Sequence, residues 1–485
     1  MMPSQVSLPR APDVVQRLNV VLINPYELGR QPFALAEAAA WLKREGFAVN
    51  CLDLSLQKLD ADLLEHADLV AIYVGMHTAT RIAVQALPRI RRLAPNAHLC
   101  VYGLYAPMNE ALLRKLGVET VLGGEVEPAL LALCHRLRIR AMTHADSGPI
   151  PQSEPVVSLG KIRFEVPDRS VLPKLSRYAH LVMPDGSTRV AGFAEGSRGC
   201  KHMCRHCPVV PVYQGAFRVV PAAVVMDDIR QQVQEGAGHI SFGDPDFFNG
   251  PTHGIGLARA LHAAFPHVSF DATIKVQHII NHAELLPEMR RCGCLFITSA
   301  VEAVDEEVLR MLDKHHGSLD FDRAVELTRA SGIALAPTFV AFTPWTTLQG
   351  YIALLERLIE LQLIESVPPV QLAIRLLVPE GSHLLGLPGF RDKLSAFDPA
   401  LLGYPWKHAD PRVDRLQRDV QTGVARWEQE GLTRREAFGA IWRMAHEAAG
   451  RSAPDIKAEP GPAIPRLSEA WYCCAEPTEQ QLQSF

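Results

Sequence analysis

The stretch EGSRGCKHMCRHCPVVPVY, residues 195–213, puts Cys200, Cys204 and Cys207 within eight residues, directly after a strand-like run. Three thiolates so spaced can hold three irons of a cubane iron–sulfur cluster, which takes four ligands. One iron is then open to a ligand from elsewhere. Zinc is the competing reading, with His202 or His206 completing the site. Zinc often takes two separated ligand pairs, and no second pair of suitable spacing follows nearby. Iron–sulfur is therefore the expectation. Gly199 is expected to let backbone approach the cluster closely.

Outward from this loop the chain alternates strand and helix signals. Its 485 residues allow about three domains of ~150 residues. Residues 18–140 contain five apolar runs: LNVVLIN, FAVNCLDL, LVAIYVG, HLCVYG and TVLGG. Amphipathic stretches separate them, which predicts a doubly wound parallel α/β unit. The runs end on Asn24-Pro25, Gly75-Met76-His77, Gly103 and Gly123-Gly124-Glu125. Such ends hold ligands in doubly wound sheets, although the glycine pair also suits a simple turn. Residues 141–189 read as a Pro/Ser-rich linker leading to a hairpin at Asp185-Gly186.

From 190 to 390 the alternation resumes with HISFGD, VSFDATIK, LFITSAVE, ALAPTFVAF and VQLAIRLLV. About six βα units fit a full or partial (β/α)6 barrel. Lys275 could point into it or snorkel outward. Residues 391–450 read as helical, with a capping box at Thr433-x-x-Glu436. Residues 451–485 form a proline-rich linker and a tail, AWYCCAEPTEQ, carrying Cys473 and Cys474.

Composition narrows the function classes. Charge is nearly balanced at −4, so no basic excess points to nucleic acid. The N-terminus has no apolar signal-peptide core and no run is long enough to span a membrane, so a cytoplasmic protein is expected. Ten cysteines in such a chain suggest metal or catalysis where they cluster. Cys51, Cys100 and Cys134 stand alone and read as core, and Cys294 reads as packed against the sheet.

The CxxxCxxC spacing resembles the signature of the radical S-adenosylmethionine (SAM) superfamily, with His206 where an aromatic residue is usual. That resemblance implies a [4Fe-4S] cluster on Cys200, Cys204 and Cys207, with SAM chelating the open iron. It further implies SAM-binding roles for Gly243, Asp244, Pro245 and Asp246, and for the strand-end Glu302. LLVPEGSHLL, residues 376–385, resembles the family's last-strand stretch. The domain order resembles cobalamin-dependent radical SAM enzymes, yet the Asp-x-His-x-x-Gly ligand signature is absent from Asn24–Gly29. Cobalamin binding therefore stays open.

Cys473-Cys474-Ala-Glu-Pro resembles the terminus of the CUAEP/CCAEP-tail radical SAM group, and through it the radical SAM enzymes of arsinothricin biosynthesis. The resemblance implies catalytic thiols at Cys473 and Cys474, which suit a soft centre such as trivalent arsenic. It implies transfer of the 3-amino-3-carboxypropyl group of SAM to arsenite, with a C–As bond formed. Two other readings stay open. One is 5′-deoxyadenosyl radical chemistry, or cobalamin-dependent methylation, on an organic substrate. The other is a metal- or arsenic-sensing binding protein. The expected partners are a small-molecule substrate and an electron donor such as flavodoxin or ferredoxin, without nucleic acid or membrane.

Overall fold

The computed structural model describes residues 18–143 and 151–469. Cys473 and Cys474 lie outside these residues. The first unit is a parallel sheet of β1 (Asn19–Asn24), β2 (Ala48–Asp53), β3 (Leu69–Tyr73), β4 (His98–Tyr102), β5 (Thr120–Gly124) and β6 (Val157–Ser158). Strand order is β2-β1-β3-β4-β5-β6, with every pair parallel. Alternation of side chains explains the two layers. Val21, Ile23, Val70 and Ile72 pack with Ala83, Leu87 and Ile90 of the helix His77–Leu93. Val20, Leu22, Leu69 and Ala71 pack on the opposite face with the helices Phe33–Arg44 and Glu127–Thr143. Burial on both faces is why these runs are almost wholly apolar.

The second unit begins with a hairpin, β7 (His180–Val182) and β8 (Thr188–Ala194), turning at Asp185-Gly186. Next, β9 (Ser197–Gly199) and β10 (Phe217–Val219) form a separate antiparallel ribbon that brackets the cysteine loop. The main sheet continues through β11 (His239–Phe242), β12 (Ser269–Thr273), β13 (Cys294–Glu302) and β14 (Ala334–Phe339). Strands β8, β11, β12, β13 and β14 are mutually parallel in that order, giving a half-barrel. Near the chain end, β15 (Arg466–Leu467) adds antiparallel to β7 and extends the edge.

One expected strand is replaced. Residues 370–378 contain a short 3-10 turn, Pro369–Leu372, and a single parallel bridge of Arg375 to Phe342. Pro368 and Pro369 lack N–H donors, so the segment cannot enter a ladder until Ile374 and Leu376 bond to Phe342. Burial also settles the solitary cysteines. Cys51, Cys100, Cys134 and Cys294 are buried, and burial pushes the Cys51 and Cys134 thiols up to about 12.

Arg169, from the linker region, ties the two units together. Its guanidinium donates to both carboxylate oxygens of Asp228 at 2.8 Å, to Gln31 Oε1 at 3.1 Å and to the Phe193 carbonyl at 2.7 Å. Arg169 and Asp228 are both about 2% exposed at the side chain. Removing one member leaves a buried charge without its partner. Arg169→Ala should therefore lower unfolding free energy by about 3–5 kcal/mol, measured by urea titration. A loss below about 1 kcal/mol would refute the pinning role.

Candidate functional site

The cysteine loop is held in place by its own backbone. Phe217 of β10 pairs with Gly199 of β9. Gly199 has φ +71°, and a Cβ there would lie 2.3 Å from the Ala216 carbonyl oxygen. The glycine thus serves ribbon packing, and it also lines the cavity that the three cysteines share. Lys201 Nζ donates to the Asn249 carbonyl at 2.6 Å. Arg205 donates to the carbonyls of Arg310 and Met311, capping the end of the helix Glu306–Leu312.

Cys200, Cys204 and Cys207 all line one cavity of about 340 Å³ between the two units. Gly243, Pro245, Asp246 and Glu302 line the same cavity, so most of the residues singled out from sequence converge. Asp244 does not line it. Its carboxylate accepts from the Gly196 N–H at 2.9 Å and from the Ser197 hydroxyl, holding the β8–β9 connection to the end of β11. Burial raises its pKa to about 6. Gly243 also packs closely, since a Cβ there would collide with the Phe193 ring.

Electrostatics distinguish the remaining acids. Asp246 faces His278 Nδ1 at 2.7 Å and His202 Nε2 at 3.5 Å. Burial raises its pKa, but the two imidazoles outweigh that and leave it below the usual carboxylate range. Glu302 faces His206 Nε2 at 3.0 Å and Lys314 Nζ at 3.5 Å. Burial again opposes ionisation, and Lys314 and His206 together bring Glu302 down to about 2. Glu302 adopts φ 71°, at a register shift of β13, which turns its side chain into the cavity wall.

These pairings bear on the zinc reading. His202 and His206, which would have completed a zinc site, are turned toward Asp246 and Glu302. The donor set fits a [4Fe-4S] cluster instead. Three thiols face one cavity, and Lys275 and Lys314 line it as cations beside them. Lys275 is 8% exposed and its Nζ has no hydrogen-bond partner among the described residues. The side chain is thus inward, and burial pushes its ammonium pKa down. Lys314, His278 and the pairing of His206 with Glu302 were not legible in sequence. Their spacing carries no periodic signal, and only the barrel brings them together.

A second cavity, of about 760 Å³, adjoins the first and shares Tyr26, Leu28, Arg30, Thr273, Thr298 and Thr338 with it. Its far wall is formed partly by Val424, Trp427 and Leu432, and by residues 464–469. Segment 466–469 is well anchored. Arg466 and Leu467 pair with β7, Ser468 exchanges two hydrogen bonds with His180, and Tyr26 donates to Glu469. Gly29 makes room, since a Cβ there would lie 2.3 Å from Glu469 Oε2.

Comparison with known proteins agrees with this geometry. Residues 195–344 match the sequence model of the Radical SAM superfamily. Hopanoid C-3 methylase of Methylococcus capsulatus is 23% identical over 328 residues, covering 65% of this chain and 62% of that protein. The chain thus spans less than two thirds of that relative. The tRNA-2-methylthio-N(6)-dimethylallyladenosine synthase of Chlorobium phaeovibrioides is 26% identical over 164 residues, 31% of this chain and 36% of that protein. Among solved structures, the cobalamin-dependent SAM radical enzyme OxsB superposes with a TM-score of 0.64 at 13% identity, over 88% of this chain and 73% of that one. The radical SAM methyltransferase TsrM from Kitasatospora setae superposes at 0.56 with 21% identity, over 71% of each chain.

The chain carries a radical SAM domain, and the protein is an enzyme. This removes the reading as a sensing protein. The fold implies a [4Fe-4S] cluster and SAM as cofactors. No helix among the described residues is long and apolar enough to cross a membrane.

Replacing any one of Cys200, Cys204 or Cys207 with Ala should abolish bound iron and sulfide, and with them the visible absorbance of anaerobically prepared protein. Retention of full iron content by any one variant would contradict the assignment. Glu302 also predicts a pH dependence. Its folded pKa is depressed, so its contribution to stability is complete above the ordinary carboxylate value near ~4.3. That contribution drains away as pH falls toward about 2. Denaturant titration between pH 5 and pH 2 should show a shallower acid loss for Glu302→Gln than for the wild type.

Proposed function

We propose that this enzyme transfers the 3-amino-3-carboxypropyl group of SAM to trivalent arsenic, with Cys473 or Cys474 presenting the acceptor. The observation carrying this reading is the anchorage of Glu469 on Tyr26, a residue shared by both cavities. Cys473 follows Glu469 by four residues, a reach of at most about 14 Å, and Cys474 by five. That reach suffices for a tail thiol to approach the cavity that the three cysteines line. A cluster held by Cys200, Cys204 and Cys207 would supply the one electron that reductive cleavage of a sulfonium C–S bond of SAM requires.

The chain's own residues bind and orient. Cys200, Cys204 and Cys207 hold the cluster. Asp246, kept anionic by His202 and His278, suits the ammonium of the methionyl group, with Gly243 and Pro245 beside it. Glu302, held ionised by Lys314 and His206, suits hydroxyl or ammonium donors of SAM. Lys275 offers a buried cation without a protein acceptor to an anionic group. The thiolates of the tail hold arsenic, and a small electron-transfer protein such as flavodoxin or ferredoxin delivers the electron.

A second reading is favoured by one feature. The adjoining cavity of about 760 Å³ has aromatic, aliphatic and polar walls, and its volume suits an organic substrate better than arsenite. Ordinary 5′-deoxyadenosyl chemistry on such a molecule would use the same SAM site.

Product analysis of reduced enzyme with SAM separates the two. Methylthioadenosine formed in an arsenite-dependent manner is expected under aminocarboxypropyl transfer, whereas 5′-deoxyadenosine as the SAM product would overturn it. Cys473→Ser and Cys474→Ser should leave iron content unchanged and lower the arsenic-containing product at least tenfold in one variant. Full product from both would remove the tail from the mechanism.

A further inference from the structure

Three polar side chains from three separate segments converge beside the cysteine loop. His202 lies inside that loop, between Cys200 and Cys204. Asp246 follows β11, and His278 stands on the short helix Val276–Asn281 after β12. One ligand atom of each, His202 Nε2, Asp246 Oδ2 and His278 Nδ1, lies within 4.8 Å of the other two. Asp246 Oδ2 is 2.7 Å from His278 Nδ1 and 3.5 Å from His202 Nε2. The two imidazole rings are tilted at 55°, with centroids 4.8 Å apart.

The same three atoms are buried, and none has a hydrogen-bond partner among the described residues. The contact from His278 is short, yet its ring nitrogen makes no hydrogen bond along it. Buried polar atoms are ordinarily paired, and an unpaired one calls for an explanation such as an ion. Here three unpaired atoms point to one place, so a single cation would answer all of them. The acid is held in this pose from its other side. Asp246 Oδ1 accepts the Phe248 N–H at 3.1 Å, which leaves Oδ2 turned to the imidazoles.

Two imidazoles and a carboxylate are donors that borderline divalent metals take, zinc and ferrous iron among them. The set includes no thiol, so it does not draw on the cysteines that hold the cluster. His202 and Asp246 also line the cavity of those cysteines, so a further ligand can enter from there.

We propose that His202, Asp246 and His278 form a second metal site, separate from the cysteines, that takes one divalent cation of the zinc class. This metal and the methionyl ammonium assigned to Asp246 are alternative occupants, because two cations repel strongly on one buried carboxylate oxygen. The site stands on its own geometry, whereas the competition rests on the ammonium assignment.

The test uses the full chain, loaded with its cluster anaerobically, incubated with zinc chloride and freed of excess metal by gel filtration. Elemental analysis should find one zinc per chain fewer in His278→Ala than in the wild type, at equal iron content. Equal zinc in the two proteins would overturn the site. A second measurement does not depend on that variant. In the Cys473→Ser, Cys474→Ser double variant, which removes the tail thiols, X-ray absorption at the zinc edge should show nitrogen and oxygen ligands at ~2.0–2.2 Å. A sulfur shell at ~2.3 Å, or no bound zinc, would overturn the site. Saturating SAM, added without reductant, should release the zinc. Zinc retained in full under SAM would leave the metal site standing and overturn the ammonium assignment to Asp246.

Discussion

One buried guanidinium organises the junction on which the site depends. Arg198 is surrounded by Glu37, Glu125, Glu127 and Glu195, the last at 3.7 Å, and its side chain is 10% exposed. Burying this cation without partners would cost several kcal/mol, so the carboxylates are obligatory. They outnumber it. Burial and mutual repulsion raise Glu37, Glu125 and Glu195, the last to about 7. Three of the four acids come from the first unit, and Arg198 belongs to the ribbon that carries the cysteines. The interaction therefore fixes the distance between a doubly wound sheet and a metal loop that share no strand.

From that junction the rest of the site follows by short links. The ribbon leads from Arg198 to Cys200, and Arg205 docks the far side of the loop on the helix after Glu302. Glu302 and Asp246 then each meet one histidine of the same loop. The loop is thus held at both ends and at two interior points. Such mutual support in a low-dielectric setting favours one geometry over many, which a cofactor-binding loop requires. The two adjoining cavities meet on this frame, and the last described residues, 464–469, close part of the larger one.

Much of this was readable from the chain. The apolar runs of the first unit correspond to β1 through β5, because strands buried on both faces must be apolar throughout. The cysteine spacing specified cluster chemistry, since three thiolates in a short loop have few other uses. Residues 370–378 were misread as a regular strand because their apolar pattern outweighed Pro368-Pro369. Gly75, Gly103 and Gly124 at the strand ends line the cavity between the units, a placement that their positions in the sequence do not reveal.

By itself the sequence determined the fold class and set three cysteines close together in one loop, because periodicity and close spacing are local properties of the chain. Tertiary structure alone decided the partners of those ligands. Lys314 comes to Glu302, His278 to Asp246, and Glu37, Glu125 and Glu127 to Arg198 only when distant segments are brought together. Buried charges require partners, and no local pattern in a chain records which distant residue will supply them.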